Sequence, residues 1–258
     1  MKFLSDEQIN MALHSSQLKN LSLINKGKVR DIYDLDDDKL LIVTTDRLSA
    51  FDVIMSEPIP SKGRVLTQMS NFWFEKLAHI IPNHLLEDDP KSFVSEGEIE
   101  QIDGRSIVVK KLSPIPVEAI VRGYLVGSGW KEYQESNTVC GINLPNDLQQ
   151  ASKLRNPIFT PSSKASQGEH DENISISTCE ALIGKDLSKQ ISKISLELYQ
   201  AASVFAESKG IIIADTKFEF GLDKEGTLHL IDEVLTPDSS RFWSKEDYQT
   251  GISPPSFD

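Results

Sequence analysis

IIIADTKFEFGLDKEGTLHLIDEVL, residues 211–235, decides how the chain is read. Asp215, Lys217 and Glu219 alternate with Thr216, Phe218 and Phe220, and in a strand residues two apart share a face. The pattern predicts a strand with one charged side and one largely apolar side. Asp223 to Gly226 is a turn signal and TLHLIDEVL is a second extended run, so the two form a β-hairpin. With Lys224 and Glu225 as the central turn residues, Lys217 sits opposite Asp232, and Glu219 lies diagonally from it on the same side. A one-residue slip would undo that arrangement. Two carboxylates beside a lysine suit Mg2+, which takes one or two carboxylates and fills its octahedron with water and phosphate. The alternative is a solvated hairpin face with cross-strand ion pairs.

Outward from the hairpin, the chain mixes helices with antiparallel strands, which predicts an α+β fold. LSLINKGKVRDIYDL followed by KLLIVTT reads as strand, turn and strand from Leu21 to Thr45. RVLTQMSNFWFEKLAHII (64–81) has apolar residues at helical spacing and stops before Pro82. RSIVVKKL is a further strand, and the prolines of SPIPVEAIVRGYL mark a crossing between lobes before another extended run. Residues 141–178 are long, polar and irregular, which predicts a lid or binding loop. Leu187 to Lys209 is a strong amphipathic helix, with Gly210 as its C-cap. At the N-terminus Ser5 and Gln8 suggest a helix start, and no long apolar stretch of a signal peptide precedes it.

A net charge of −12 works against binding nucleic acid or an anionic membrane, and no apolar run approaches a spanning helix. A cytosolic, monomeric protein acting on small molecules is expected. Cys140 and Cys179 have no metal spacing, and His14, His79, His84, His170 and His229 do not gather into a zinc site or a nucleophilic triad. Against the acidic background, local cations stand out. NKGKVRD has too few glycines for a Walker loop, but a hairpin tip bearing Lys28 and Arg30 could lie over a triphosphate; a solvated basic turn is the other reading. In PVEAIVRGYLVGSG an arginine, Arg122, precedes a Gly-Ser-Gly turn that opens a helix. Free N–H groups there, with Ser128, make an anion site that Arg122 could clamp, unless a buried carboxylate such as Glu118 satisfies it. TPDSSRFW adds Arg241 just after the hairpin.

Together, IPVEAIVRGYLVGS (115–128) and ADTKFEFG (214–221), with GKVRDIY, TTDRLSAFDV, FTPSSKASQGEHDENIS and LIDEVLTPDSSRFW, resemble the SAICAR synthetase family over nearly the whole chain. The resemblance implies a two-lobed α+β fold of antiparallel sheets with flanking helices, with a nucleotide cleft like those of ATP-grasp proteins and kinases. Its N-terminal lobe would span residues 1–112 and its larger lobe 113–258, with ATP lying between. It also implies a reaction in which ATP, L-aspartate and carboxyaminoimidazole ribotide give an amide, ADP and phosphate. By position, Glu219 and Asp232 resemble the Mg2+ ligands. Lys28 would cover the ATP phosphates, and the backbone of Lys110, Lys111 and Leu112 would read the adenine. Arg122, Ser128 and Arg241 resemble the grip on the ribotide, while Asp215 and Lys217 would face the reacting groups. The aspartate pocket is expected near Lys164, His170 and Asp171 and near Arg47 and Ser49. Members of this branch usually run on beyond the SPPSFD of residues 253–258. A small-molecule kinase and a non-catalytic nucleotide sensor are the competing readings.

Overall fold

The computed structural model describes residues 12–50, 53–164 and 172–257. Ser5, Gln8, His170 and Asp171, singled out above, lie outside them. The chain divides into two units, one of residues 1–74 and 84–112 and one of residues 75–83 and 113–258.

In the first unit, β1 (Ser22–Lys26), β2 (Arg30–Asp34), β3 (Lys39–Thr44) and β6 (Ser106–Lys110) form an antiparallel sheet in the order β1-β2-β3-β6. β4 (Ser49–Ala50) and β5 (Val53–Ile54) make a separate short ladder. Tyr33, Leu41, Val43 and Val108 point from the sheet into a core that Leu18 and Ile102 complete. Ile102 ends the short helix α2 (Ile99–Ile102). The helix predicted at 64–81 is α1 (Lys62–Leu77), and it ends in a turn short of Pro82. Its start lies close against β3: a Cβ on Gly63 would lie 2.2 Å from the Thr44 carbonyl oxygen, so only glycine fits.

The second unit is built on a seven-stranded antiparallel sheet. Its path runs β11 (Lys153–Phe159), β8 (Val117–Tyr124), β13 (Ile211–Leu222) and β14 (Leu228–Ile231). β12 (Ser162–Ser163) joins β8, while β7 (Ser113–Pro114) and β15 (Ser240–Ser244) join β13. The helices are α3 (Gly127–Ser136), α4 (Ile176–Ile183) and α5 (Lys185–Ser208), and β9 (Thr138–Val139) pairs with β10 (Ile142–Asn143). Ile191, Leu198 and Ala202 of α5 are buried, as the amphipathic pattern requires, and Gly210 takes the positive φ (+77°) that ends the helix.

Two expectations are corrected. The stretch 141–178 is not irregular throughout, since it contains β10, β11, β12 and the start of α4. β11 was hidden by Pro157, which cannot join a ladder; here it lies in an edge strand whose pairing with β8 is irregular between Lys153 and Ile158. The hairpin register also differs by one residue: Glu219 lies opposite Ile231 and Gly221 opposite His229. Gly226, at φ +81°, makes the loop three residues long where two were expected.

Candidate functional site

β8 and β13 position the charged face. Asp215 lies opposite Arg122, Lys217 opposite Ile120 and Phe218 opposite Ala119. Residues directly opposite share a side, so Arg122, Asp215 and Lys217 project together. Ala119, Val121, Phe218 and Phe220 project into the core and are essentially buried. The apolar side is what allows β13 to carry three charges in the middle of a sheet.

At one end of this face two arginines converge on one carboxylate oxygen. Arg122 donates from Nη1 to Asp215 Oδ2 at 2.9 Å, and Arg241 from Nη1 to the same oxygen at 2.5 Å. Arg122 is also held by Ser128 Oγ (2.9 Å from Nη2) and Thr160 Oγ1 (3.1 Å from Nε). Burial pulls the Arg122 pKa below its ordinary value and Asp215 opposes that, but a guanidinium stays charged. The expected alternative partner, Glu118, does not take Arg122. Gly127, at φ +60°, opens α3 beside them, and a Cβ on it would lie 2.7 Å from both Arg241 Nη atoms. A Cβ on Gly129 would lie 3.0 Å from Arg122 Nε. The Gly-Ser-Gly turn thus lies directly against both guanidinium groups. Arg122, Ser128, Asp215, Lys217, Ser239 and Arg241 are among the residues lining a cavity of about 230 Å3 here.

At the other end, lysines and carboxylates alternate. Lys217 Nζ is 2.7 Å from Glu118 Oε1 and 3.2 Å from Glu219 Oε1, and Lys164 Nζ is 2.5 Å from Glu219 Oε2. Burial works against the Lys217 charge, but Glu219, Glu118 and Asp232 outweigh it and push its pKa up. Asp232 reaches this group despite the register correction. In the observed register a regular strand would turn it to the apolar side, but its backbone is left-handed at φ +63°, which ends β14 and re-aims the side chain. Among the described residues, no group of three or more His, Cys, Asp or Glu is arranged to hold a metal.

The remaining predicted residues lie in the first unit. Lys28 is at the β1–β2 turn, where its carbonyl accepts from Arg47 Nε at 2.9 Å. Arg47, 1% exposed, also donates to the carbonyls of His14 and Gly27 and to Asp31 Oδ1. Its guanidinium is therefore engaged in holding that turn. Ser49 is half-buried in β4. Lys110 ends β6 and its N–H donates to the His84 carbonyl at 2.8 Å; Lys111 donates its N–H to Asp38 and its Nζ, at 2.7 Å, to Asp34. Leu112 follows directly. Sequence reading missed the true partner of Glu118, and Thr160 and Asn173 as neighbours of Arg122. The alternation of Glu118, Ile120 and Arg122 along one strand was the available signal for the first; nothing local marked the other two.

The family model that matches the chain is that of SAICAR synthetase, over residues 23–258. The chain belongs to the SAICAR synthetase family. A phosphoribosylaminoimidazole-succinocarboxamide synthase of Cupriavidus metallidurans is 63% identical over 247 residues, covering 96% of this chain and 82% of that protein. The solved SAICAR synthase of Saccharomyces cerevisiae, complexed with SAICAR, is 45% identical with a TM-score of 0.89, covering 96% of this chain and 84% of the other. A SAICAR synthetase solved with ADP is 29% identical with a TM-score of 0.71, over 88% and 86% of the two chains. The expected mixed fold of antiparallel sheets and flanking helices is the one observed. Membership in the SAICAR synthetase family makes the chain an enzyme of ATP-dependent ligation in purine biosynthesis, and favours neither a kinase nor a non-catalytic sensor.

Proposed function

We propose that the chain joins L-aspartate to the carboxylate of carboxyaminoimidazole ribotide, giving SAICAR, ADP and phosphate, and that it does so in the cytoplasm. Among the described residues no helix is long and apolar enough to cross a membrane. One observation carries the reading: a single sheet face on which Arg122 and Arg241 meet at Asp215, while Lys217 and Lys164 meet at Glu219. The ligands named for the two solved relatives, SAICAR and ADP, support it.

A carboxylate is a poor electrophile. In the first step a ribotide carboxylate oxygen bonds to the terminal phosphorus of ATP, the bond to the bridging oxygen breaks, and ADP leaves. In the second, the amine of aspartate bonds to the acyl carbon, the bond to the phosphate oxygen breaks, phosphate leaves, and the nitrogen gives up a proton. Every reactant is anionic, so a chain of net charge −12 needs focused cations to gather them. Arg122, Arg241, Ser128 and the N–H groups opening α3 hold the ribotide, chiefly by its phosphate. Lys217, kept protonated by its three carboxylates, stabilises negative charge at the reacting centre and does not act as a base. Asp215 accepts the proton from the incoming amine.

Glu219 and Asp232 would hold Mg2+. The residues fit in type, since Glu219 and Asp232 both lie beside Lys217 and Mg2+ takes one or two carboxylates and completes its shell with water and substrate phosphate. When bound, the ion neutralises charge on the transferred phosphoryl group. Lys28 covers the ATP phosphates, and the backbone of Lys110 to Leu112 reads the adenine. For aspartate, the 32% exposure of the Lys164 side chain against 1% for Arg47 favours the segment of Lys164, His170 and Asp171 over that of Arg47 and Ser49.

A coupled assay of ADP release with single substrates omitted tests the reading. Release should require both aspartate and the ribotide. Undiminished release without aspartate would indicate a kinase, and binding without release a sensor.

A further inference from the structure

β13 carries one residue too many where it pairs with β15. Ile213 lies opposite Phe242, but Asp215 lies opposite Arg241, which leaves Ala214 as a bulge. The extra residue decides what the site contains. In the register of Ile211 to Ile213, Asp215 would face Ser240, and Arg241 would face Ala214 on the opposite side of the sheet. The bulge brings Asp215 and Arg241 to one face, where both arginines reach Asp215 Oδ2.

A bulge disrupts the ladder, so its backbone groups need other partners. Tyr199 of α5, 3% exposed, supplies one by donating its hydroxyl to the Ile213 carbonyl at 2.7 Å. The hydroxyl approaches from the side away from the charged face. Gly123 follows Arg122 on β8, so any side chain there would point away from the site. A Cβ on Gly123 would lie 1.9 Å from Tyr199 Oη, which means that the hydroxyl occupies the space a side chain would fill. Burial pushes the Tyr199 pKa up, which keeps it a neutral donor.

We propose that Tyr199 is a positioning residue for the ribotide end of the site: its hydroxyl, lodged where Gly123 has no side chain, fixes the Ala214 bulge and so aligns Asp215 with Arg122 and Arg241. The inference rests on the reading that those arginines hold the ribotide. It explains why glycine follows the arginine in VRGY, and it links a residue of α5 to a binding site that it does not touch.

Tyr199→Phe keeps the ring and its packing but removes the donor, while Gly123→Ala keeps the donor and fills its seat. Both should raise the KM for the ribotide about tenfold while the KM for ATP stays within about twofold. Hydrogen exchange at residues 211–217 should be about tenfold faster in Tyr199→Phe, a readout that needs no substrate. Unchanged exchange together with an unchanged ribotide KM overturns the proposal, as do equal rises in both KM values, which would mark general damage. Arg241→Ala, measured alongside, separates the two readings. If it raises the ribotide KM and Tyr199→Phe does not, only the role of Tyr199 falls; if neither does, the ribotide reading falls as well.

Discussion

Lys217 is the cation of the charged face set among the most carboxylates, with Glu118 and Glu219 in direct contact and Asp232 nearby. Lys217→Met removes the cation that, in the proposed mechanism, stabilises negative charge at the reacting centre, and should lower kcat by about a hundredfold or more in initial-rate assays. Stability carries its own sign. Folding raises the Lys217 pKa, so its contribution is complete below the ordinary value of 10.5 and is lost as pH climbs through the folded value. The stability gap between wild type and Lys217→Met, from urea denaturation, should therefore stay level from about pH 8 to the ordinary value of 10.5 and narrow above it. Arg47 makes a different case. Its residue type and its place in TTDRLSAFDV suggested substrate, but fixing the turn at Gly27 and Lys28 is a non-local duty that no spacing reveals. Arg47→Met, which leaves Asp31 buried without its cation, should cost about 3–5 kcal/mol in a denaturant titration. At temperatures where the variant is folded, the KM for aspartate should change by less than about twofold.

At the scale of the element, the alternating charges and phenylalanines of β13 were legible because a strand has a period of two. The hairpin was legible as well, but its register was not. Gly226 allows a left-handed third loop residue, and the choice between two-residue and three-residue loops depends on how β13 is already paired with its other neighbours. The strand geometry of Asp232 was hidden for a related reason, since nothing in LIDEVL announces a positive φ at an aspartate. In the proposed function, the turn that opens α3 helps to hold the ribotide. Gly127→Ala imposes a side chain at φ +60° and drives a Cβ into the Arg241 guanidinium. It should raise the ribotide KM about tenfold or more in steady-state assays, with little change for ATP.

Across the whole molecule, the mixed fold follows from local patterns, while the site follows from pairings between distant segments. Asp215 and Arg122 are 93 residues apart, and only the β8–β13 register makes them partners. β11 shows the converse, an edge strand whose proline and polar composition resemble a loop until its neighbour is known. The overall charge of −12 sets the cations of this face in a surround that repels anionic reactants. Salt screens that surround and the local attraction alike, but the close cations act at shorter range than the roughly 10 Å Debye length at 0.1 M. Raising ionic strength should therefore lower kcat/KM for the ribotide only about two- to threefold in stopped-flow or initial-rate measurements.

In the proposed function, one end of the sheet face holds the ribotide and the other serves ATP. Calorimetric titration of both ligands into Arg241→Ala and Glu219→Gln tests it most directly. Arg241→Ala, whose side chain is 38% exposed in the wild type, should lose about tenfold to a hundredfold in ribotide affinity while ATP binding stays within about twofold. Glu219→Gln should keep ribotide affinity and weaken Mg2+-dependent ATP binding. Equal losses of both ligands in both variants would contradict the account.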